Sequence, residues 1–189
     1  MLKFCDKCDS KLITTKMGDK CPQCDEQELK EINEIIKQQK TSIIYADENF
    51  PFEKGQYYLQ KDVRSKLGCG MMGGINYNKE GRFLVVFMNA HDIRKQENNP
   101  YLDRYDAQTG LYHYTGKGKK GNQTLTGINE RLANSNVNKT DIHFFRQINV
   151  GNKHQYVGHV KLEKIINNIQ PDESGRNRKV YEFLLKSVE

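Results

Sequence analysis

Four of the five cysteines stand in two pairs, Cys5-Asp-Lys-Cys8 and Cys21-Pro-Gln-Cys24, and this C-x2-C-x12-C-x2-C spacing constrains the chain more than any other feature. Each CxxC makes a tight turn that aims two sulfurs at one point, and two such turns complete a tetrahedron around zinc. The first residues are polar and unlike a signal sequence, and no apolar run approaches the ~20 residues that span a bilayer. The chain is therefore expected to be cytoplasmic, where thiols stay reduced and serve as metal ligands instead of disulfides. Cys5, Cys8, Cys21 and Cys24 are expected to hold one structural zinc ion in a small ribbon over residues 1–28. Metal binding contributes on the order of 10 kcal/mol to so small a unit, so a folding staple is one sufficient reason for the site. Contact with DNA or docking of a partner chain is the other. Cys69, between Gly68 and Gly70, is left over.

After the ribbon the pattern changes. Residues 26–40 place Leu29, Ile32, Ile35 and Ile36 at helical spacing, with Glu26, Glu28 and Glu31 early and Lys37 and Lys40 late, as the helix dipole favours. This predicts a linker helix, assigned to residues 29–41. Its apolar stripe either lies on the following domain or pairs with another copy, although two turns make a poor heptad. From residue 42 onward, β-branched and aromatic runs separated by Gly, Asn and Asp predict strands at 42–45, 56–59, 82–88, 111–115, 142–147, 155–164 and 180–185. One helix is expected at 127–133, where Ile128, Leu132 and Ala133 share a face. Residues 92–105 and 134–140 read as loops. The expected class is α+β, mostly β, with residues 42–189 forming one domain. The net charge of +6 suits a polyanionic partner but also describes many ordinary basic proteins.

The densest patch is Tyr112-His113-Tyr114-Thr115-Gly116-Lys117-Gly118-Lys119-Lys120-Gly121, a strand running into a basic, glycine-rich turn. Glycines let backbone N–H groups approach phosphates, lysines neutralise them, and a tyrosine can stack on a base. By themselves these residues fit equally a phosphate-gripping turn and a hairpin with solvated lysines.

Five segments occur in order: 81–87 (GRFLVVF), 114–118 (YTGKG), Leu125-Thr126 with 129–133 (NERLA), 156–158 (YVG) and 180–185 (VYEFLL). Together they resemble the SRA domain, also called YDG, which flips a modified cytosine out of duplex DNA. The resemblance covers about residues 67–186. Asn99-Pro100-Tyr101, Asp103-Arg104 and Tyr112-His113-Tyr114-Thr115-Gly116 are similar to prokaryotic SRA-like modules of modification-dependent restriction systems. The implied fold is an SRA/PUA-like twisted β-barrel with few helices. The implied base pocket contains Tyr114 as a stacking ring, His91 where the family has a second tyrosine, Asp106 as acceptor for the exocyclic amine, and Thr115 and Gly116 beside them. Tyr101 or Tyr105 is able to replace His91. A carboxylate suits the amine because it only accepts. Lys117, Gly118, Lys119, Lys120, Asn129 and Arg131 would follow the DNA backbone. The residues alone leave Asp106 free to cap the turn before Gly110, and Tyr112 and Tyr114 free to be core.

Two departures stand out: only six residues separate Gly118 from Leu125, where eukaryotic readers carry a long basic finger, and Val157 replaces the YDG aspartate. The implied partners are duplex DNA bearing 5-methylcytosine or a related modification, and a nuclease or helicase chain. An RNA-binding PUA-like module, or a nuclease with an unrecognised centre, is the alternative. Pro171-Asp172 with Glu182 and Lys186 misses the PD-(D/E)xK spacing, since acid and lysine are four apart instead of two. Elemental analysis of the purified chain is expected to return one zinc per molecule, and none after Cys21→Ser with Cys24→Ser. A metal-free wild type would refute the ribbon.

Overall fold

A computed structural model describes residues 13–15, 18–38, 50–78, 83–89, 99–148 and 152–188. The strand expected at 42–45 lies outside these residues, as do Cys5, Cys8 and His91. Strands β1 (Ile13–Thr15) and β2 (Gly18–Lys20) form a hairpin, and helix α1 (Pro22–Gln38) follows with proline in its first turn, where the missing N–H is harmless. The helix lays its stripe on the chain's own sheet. Leu29 and Ile36 are buried there, and the Asn33 carboxamide accepts from Ile165 N (2.8 Å) and donates to Ile165 O (2.9 Å).

Among the described residues the main sheet has eight strands: β3 (Tyr57–Leu59), β4 (Ile75–Tyr77), β5 (Phe83–Asn89), β6 (Arg104–Asp106), β7 (Leu111–Thr115), β8 (Asp141–Gln147), β9 (Lys153–Pro171) and β10 (Asn177–Ser187). Two short helices, α2 (Gln60–Lys66) and α3 (Ile128–Ala133), sit beside it. The order is β4-β5-β8-β9-β10-β7-β6, with β3 paired to β9. Among the described strands only β5 and β8 pair in parallel, from Phe83↔Asp141 to Asn89↔Gln147. Strands buried on both faces read as continuous apolar runs instead of alternating ones, as β5 does, whereas His143 interrupts the apolar residues of β8. Leu84, Val86, Met88, Ile142 and Phe144 face one core, shared with Tyr112, Phe183 and Leu185. Val85, Phe87 and Phe145 face a second core with Val63 and Tyr156.

The architecture is mostly β with few helices, as expected, and the sheet does not close into a barrel, since β4 and β6 remain at its ends. Strands β4 and β6 and helix α2 were not anticipated. Arg104-Tyr105-Asp106 is polar, and its extended form comes from pairing with β7, a tertiary effect that overrides composition. Among the described residues no helix is long and apolar enough to cross a membrane.

In the second core, His143 is buried, stacked on Phe50 (centroids 3.5 Å apart), and its Nδ1 lies 2.8 Å from the Tyr156 hydroxyl. Burial, helped by neighbouring His159, pushes its pKa down to about 2. The folded chain thus keeps the ring neutral while the unfolded chain protonates it near pH ~6.5, so stability is full above that pH and falls below it. Urea unfolding is expected to lose up to about 1.4 kcal/mol per pH unit below ~6.5 through this residue. The slope should shrink in His143→Gln; an unchanged slope would contradict the assignment.

Candidate nucleic-acid interface

The sheet curls so that segments from its two ends wall one cavity of about 460 Å³. Gly73 and Gly74 precede β4, Phe87 and Asn89 belong to β5, Tyr101 and Asp103 precede β6, and Tyr114 and Thr115 end β7. Lys117, Gly118 and Lys119 form the remaining rim with Met72.

Tyr114 pairs with Phe183 across β7 and β10, is 5% exposed, and belongs at once to the core and to the cavity wall. Burial raises its phenol pKa well above the ordinary range. Its hydroxyl occupies the space that a Cβ at Gly74 would need, which explains a residue without a side chain there. Tyr101 also lines the cavity; its hydroxyl accepts from Gly118 N (3.4 Å), and the Arg178 guanidinium lies 6.0 Å from its ring centre.

The acid in this wall is Asp103. It is buried and accepts from Thr115 N (2.8 Å). Burial pushes its carboxyl up to about 7 against the hydrogen bonds from Thr115; Glu182 adds to the push and Arg104 opposes it. Its chain neighbours are both tied down. Leu102 N donates to Gln170 Oε1 (3.3 Å), and Arg104 donates to Glu182 Oε1 (2.6 Å). Glu182 is fully buried, with His113 Nδ1 2.8 Å away and Asn168 Nδ2 donating at 2.8 Å.

Asp106, expected to be the amine acceptor, is not in the cavity. Its carboxylate accepts from Gln108 N (2.9 Å) and Thr109 Oγ1 (2.6 Å), capping the β6–β7 turn, and these bonds lower its pKa. Register supplies the reason: Asp106 pairs with Leu111 at the turn end of the hairpin, whereas Asp103 sits at the Thr115 end. Tyr105 is likewise outside the wall and packs on Tyr112 (centroids 4.7 Å apart). In the sequence, Asp103 stands out only as part of the Asp103-Arg104 pair.

The basic turn is built from inside. Asn129 Oδ1 accepts from Lys117 N (2.7 Å), and its Nδ2 donates to the carbonyls of Lys117 and Thr124 (both 3.0 Å). Asn129 is buried scaffold and not a free phosphate donor, because its carboxamide is already engaged. Gln123 donates to Gly116 O and accepts from Tyr181 N (3.0 Å), and Arg178 donates to the carbonyls of Gly118 and Pro171. Gly118, at φ 131°, needs the freedom that glycine gives. Carbonyls of the turn thus point inward. Lys117 and Lys119 stand at the cavity rim, Lys120 pairs with Glu173 (3.0 Å), and Gly116 packs against Phe183 and Gln123 instead of lining the cavity. Arg131 lies over the Tyr77 ring at 4.5 Å.

One feature was missed in the sequence although its signal, Gly68-Cys69-Gly70-Met71-Met72-Gly73-Gly74, is visible there. Buried Arg64 lies over Phe87 at 5.3 Å and donates to the carbonyls of Met71 and Gly73. This clamp presents Met72, 86% exposed, at the cavity mouth. Elsewhere, Asp172 caps the β9–β10 turn, accepting from Ser174 N (2.7 Å) and Arg176 N (3.0 Å). In the second CxxC turn, Cys24 N donates to Cys21 Sγ (3.4 Å), an arrangement that suits a metal-binding thiolate pair.

The sequence matches the family described as ScoMcrA-like, SRA domain, over residues 54–189. No curated protein matches it. Among solved structures, the phosphorothioation-dependent restriction endonuclease ScoMcrA superposes with a TM-score of 0.61 at 19% identity, covering 75% of this chain and 25% of that one. The sulfur-binding and SRA domains of ScoMcrA, complexed with phosphorothioated DNA, give 0.62 at 15% identity, covering 99% and 64%. The SUVH5 SRA domain bound to methylated CHH DNA gives 0.53 at 21% identity, covering 78% and 94%. This chain therefore spans a quarter of the ScoMcrA endonuclease and under two thirds of its two-domain fragment.

The contact of Tyr114 with Gly74 is directly testable. Gly74→Ala is expected to lower the unfolding free energy by about 1–3 kcal/mol, the usual range for overpacking. Tyr114→Phe, which removes the obstructing hydroxyl, should recover most of that loss in the double variant; additive losses would contradict the contact.

Proposed function

The chain belongs to the ScoMcrA-like SRA domain family, and on that premise we propose that it binds duplex DNA containing a modified cytosine and everts that nucleotide into the 460 Å³ cavity. The volume falls in the ~300–1,000 Å³ range of small-ligand pockets. The observation that carries the reading is the company of Tyr101, Tyr114 and Asp103 in one wall, beside a lysine-bearing turn. Tyr101 and Tyr114 supply rings for the flipped base. Asp103, when ionised, accepts from its exocyclic amine. Lys117, Lys119 and Lys120 neutralise phosphates and release counterions. Met72 fills the gap left in the base stack, as apolar wedges do.

Magnitudes limit what such a site can select. Eversion costs a few kcal/mol and stacking returns about 1–3 kcal/mol per base. One buried methyl contributes only ~0.8 kcal/mol, so a strong preference for 5-methylcytosine requires polar contacts or exclusion as well. The Cys5, Cys8, Cys21 and Cys24 set would hold one zinc ion, which supplies folding energy to the ribbon. In a restriction system the chain would serve as the recognition part, with a nuclease or helicase chain acting on the DNA.

Binding is compared for matched duplexes with cytosine, 5-methylcytosine or 5-hydroxymethylcytosine at one salt concentration. One modified duplex is expected to bind at least about tenfold tighter than cytosine, with the preference lost in Tyr101→Ala and Asp103→Asn. The ionised carboxylate is the stronger, charge-assisted acceptor, so affinity should hold above pH 7 and weaken below it, by at most about tenfold per unit, and Asp103→Asn should flatten that profile. Equal affinities for all three duplexes, or tighter binding of single-stranded RNA, would overturn the reading.

A further inference from the structure

We infer that a second cavity, about 450 Å³ in volume and walled by Met72, Ile75, Tyr77, Lys117 and Ile128, receives the base orphaned on the opposite strand when the modified nucleotide is everted. The inference rests on the eversion reading and adds a second nucleotide site to it. Met72 and Lys117 belong to the walls of both cavities, so the two spaces lie on either side of the same side chains. A side chain that takes the place of a base pair separates the two nucleotides that formed it. If the first cavity holds one, the space across Met72 faces the other.

The chemistry of this space suits an unstacked base. Ile75 and Ile128 give it apolar walls, and Tyr77, 45% exposed on edge strand β4, gives it a ring. Arg131 from α3 lies over that ring at 4.5 Å and places a cation there, while Lys117 places another between the two cavities. An orphaned base has lost its hydrogen-bonding partner and retains only stacking, which an aromatic ring replaces without regard to sequence. Met72 and Tyr77, both exposed, line this one cavity with Lys117 and with Arg131 over the tyrosine ring, the composition expected of a face that enters a duplex instead of lying along it.

The test is a cycle between protein and DNA. The full chain and its Tyr77→Ala variant are titrated with duplexes carrying the preferred modified cytosine opposite guanine, opposite an abasic residue, or opposite guanine with an abasic residue one step to either side. Tyr77→Ala is expected to weaken the guanine duplex about tenfold and the opposite-abasic duplex hardly at all, while Tyr77→Phe behaves as wild type. Losses equal on every duplex, or no loss on any, would overturn the inference, and coupling to a flanking position would overturn the choice of the orphaned base. In each of those outcomes a retained preference for modified over unmodified cytosine leaves the first cavity's role standing; loss of that preference in the wild type refutes the eversion reading itself.

Discussion

A carboxylate buried against one backbone amide is the interaction around which the site is organised. Asp103 accepts from Thr115 N at 2.8 Å, and that bond ties the segment entering β6 to the end of β7. The same strand end carries Tyr114 on one side and the basic turn on the other, so the acid, the ring and the lysines share one anchor. Glu182 and Gln170, both buried, hold the residues on either side of Asp103 and leave the carboxyl little freedom to swing away.

Such an arrangement is costly to the free protein. Burial disfavours the charged form, and the raised pKa of Asp103 means that the fold pays for ionising it near neutral pH. Binding groups held in unfavourable surroundings are a recurrent exchange of stability for function. On the proposed reading, a base amine that donates to the carboxylate would offset this cost, whereas a carbonyl would not. His143, stacked on Phe50 in the second core, shows the opposite solution: there burial is accommodated by keeping the group neutral.

Much of the fold was readable because it follows from short-range physics. The apolar spacing of α1, the double-faced apolar run of β5 and the apolar and aromatic stretch of β10 each declare themselves within a few residues. The basic turn and Tyr114 were visible for the same reason. What was not visible depends on partners distant in sequence. Asp103 and Asp106 flank the same tyrosine region and look interchangeable in a linear reading; only the hairpin register, with Asp106 opposite Leu111, separates the turn cap from the cavity acid. Asn129 resembles a surface donor until its carboxamide is seen holding Lys117. Met72 becomes conspicuous only once Arg64 is found clamping the carbonyls beside it.

The most direct test is carbon NMR of the Asp103 carboxyl, titrated in the free chain and in complex with a modified-cytosine duplex. The account predicts titration near pH 7 in the free chain and a clear downward shift in the complex, where the base amine stabilises the charge. Titration in the ordinary carboxylate range near pH ~4, or a value that DNA leaves unchanged, would contradict it.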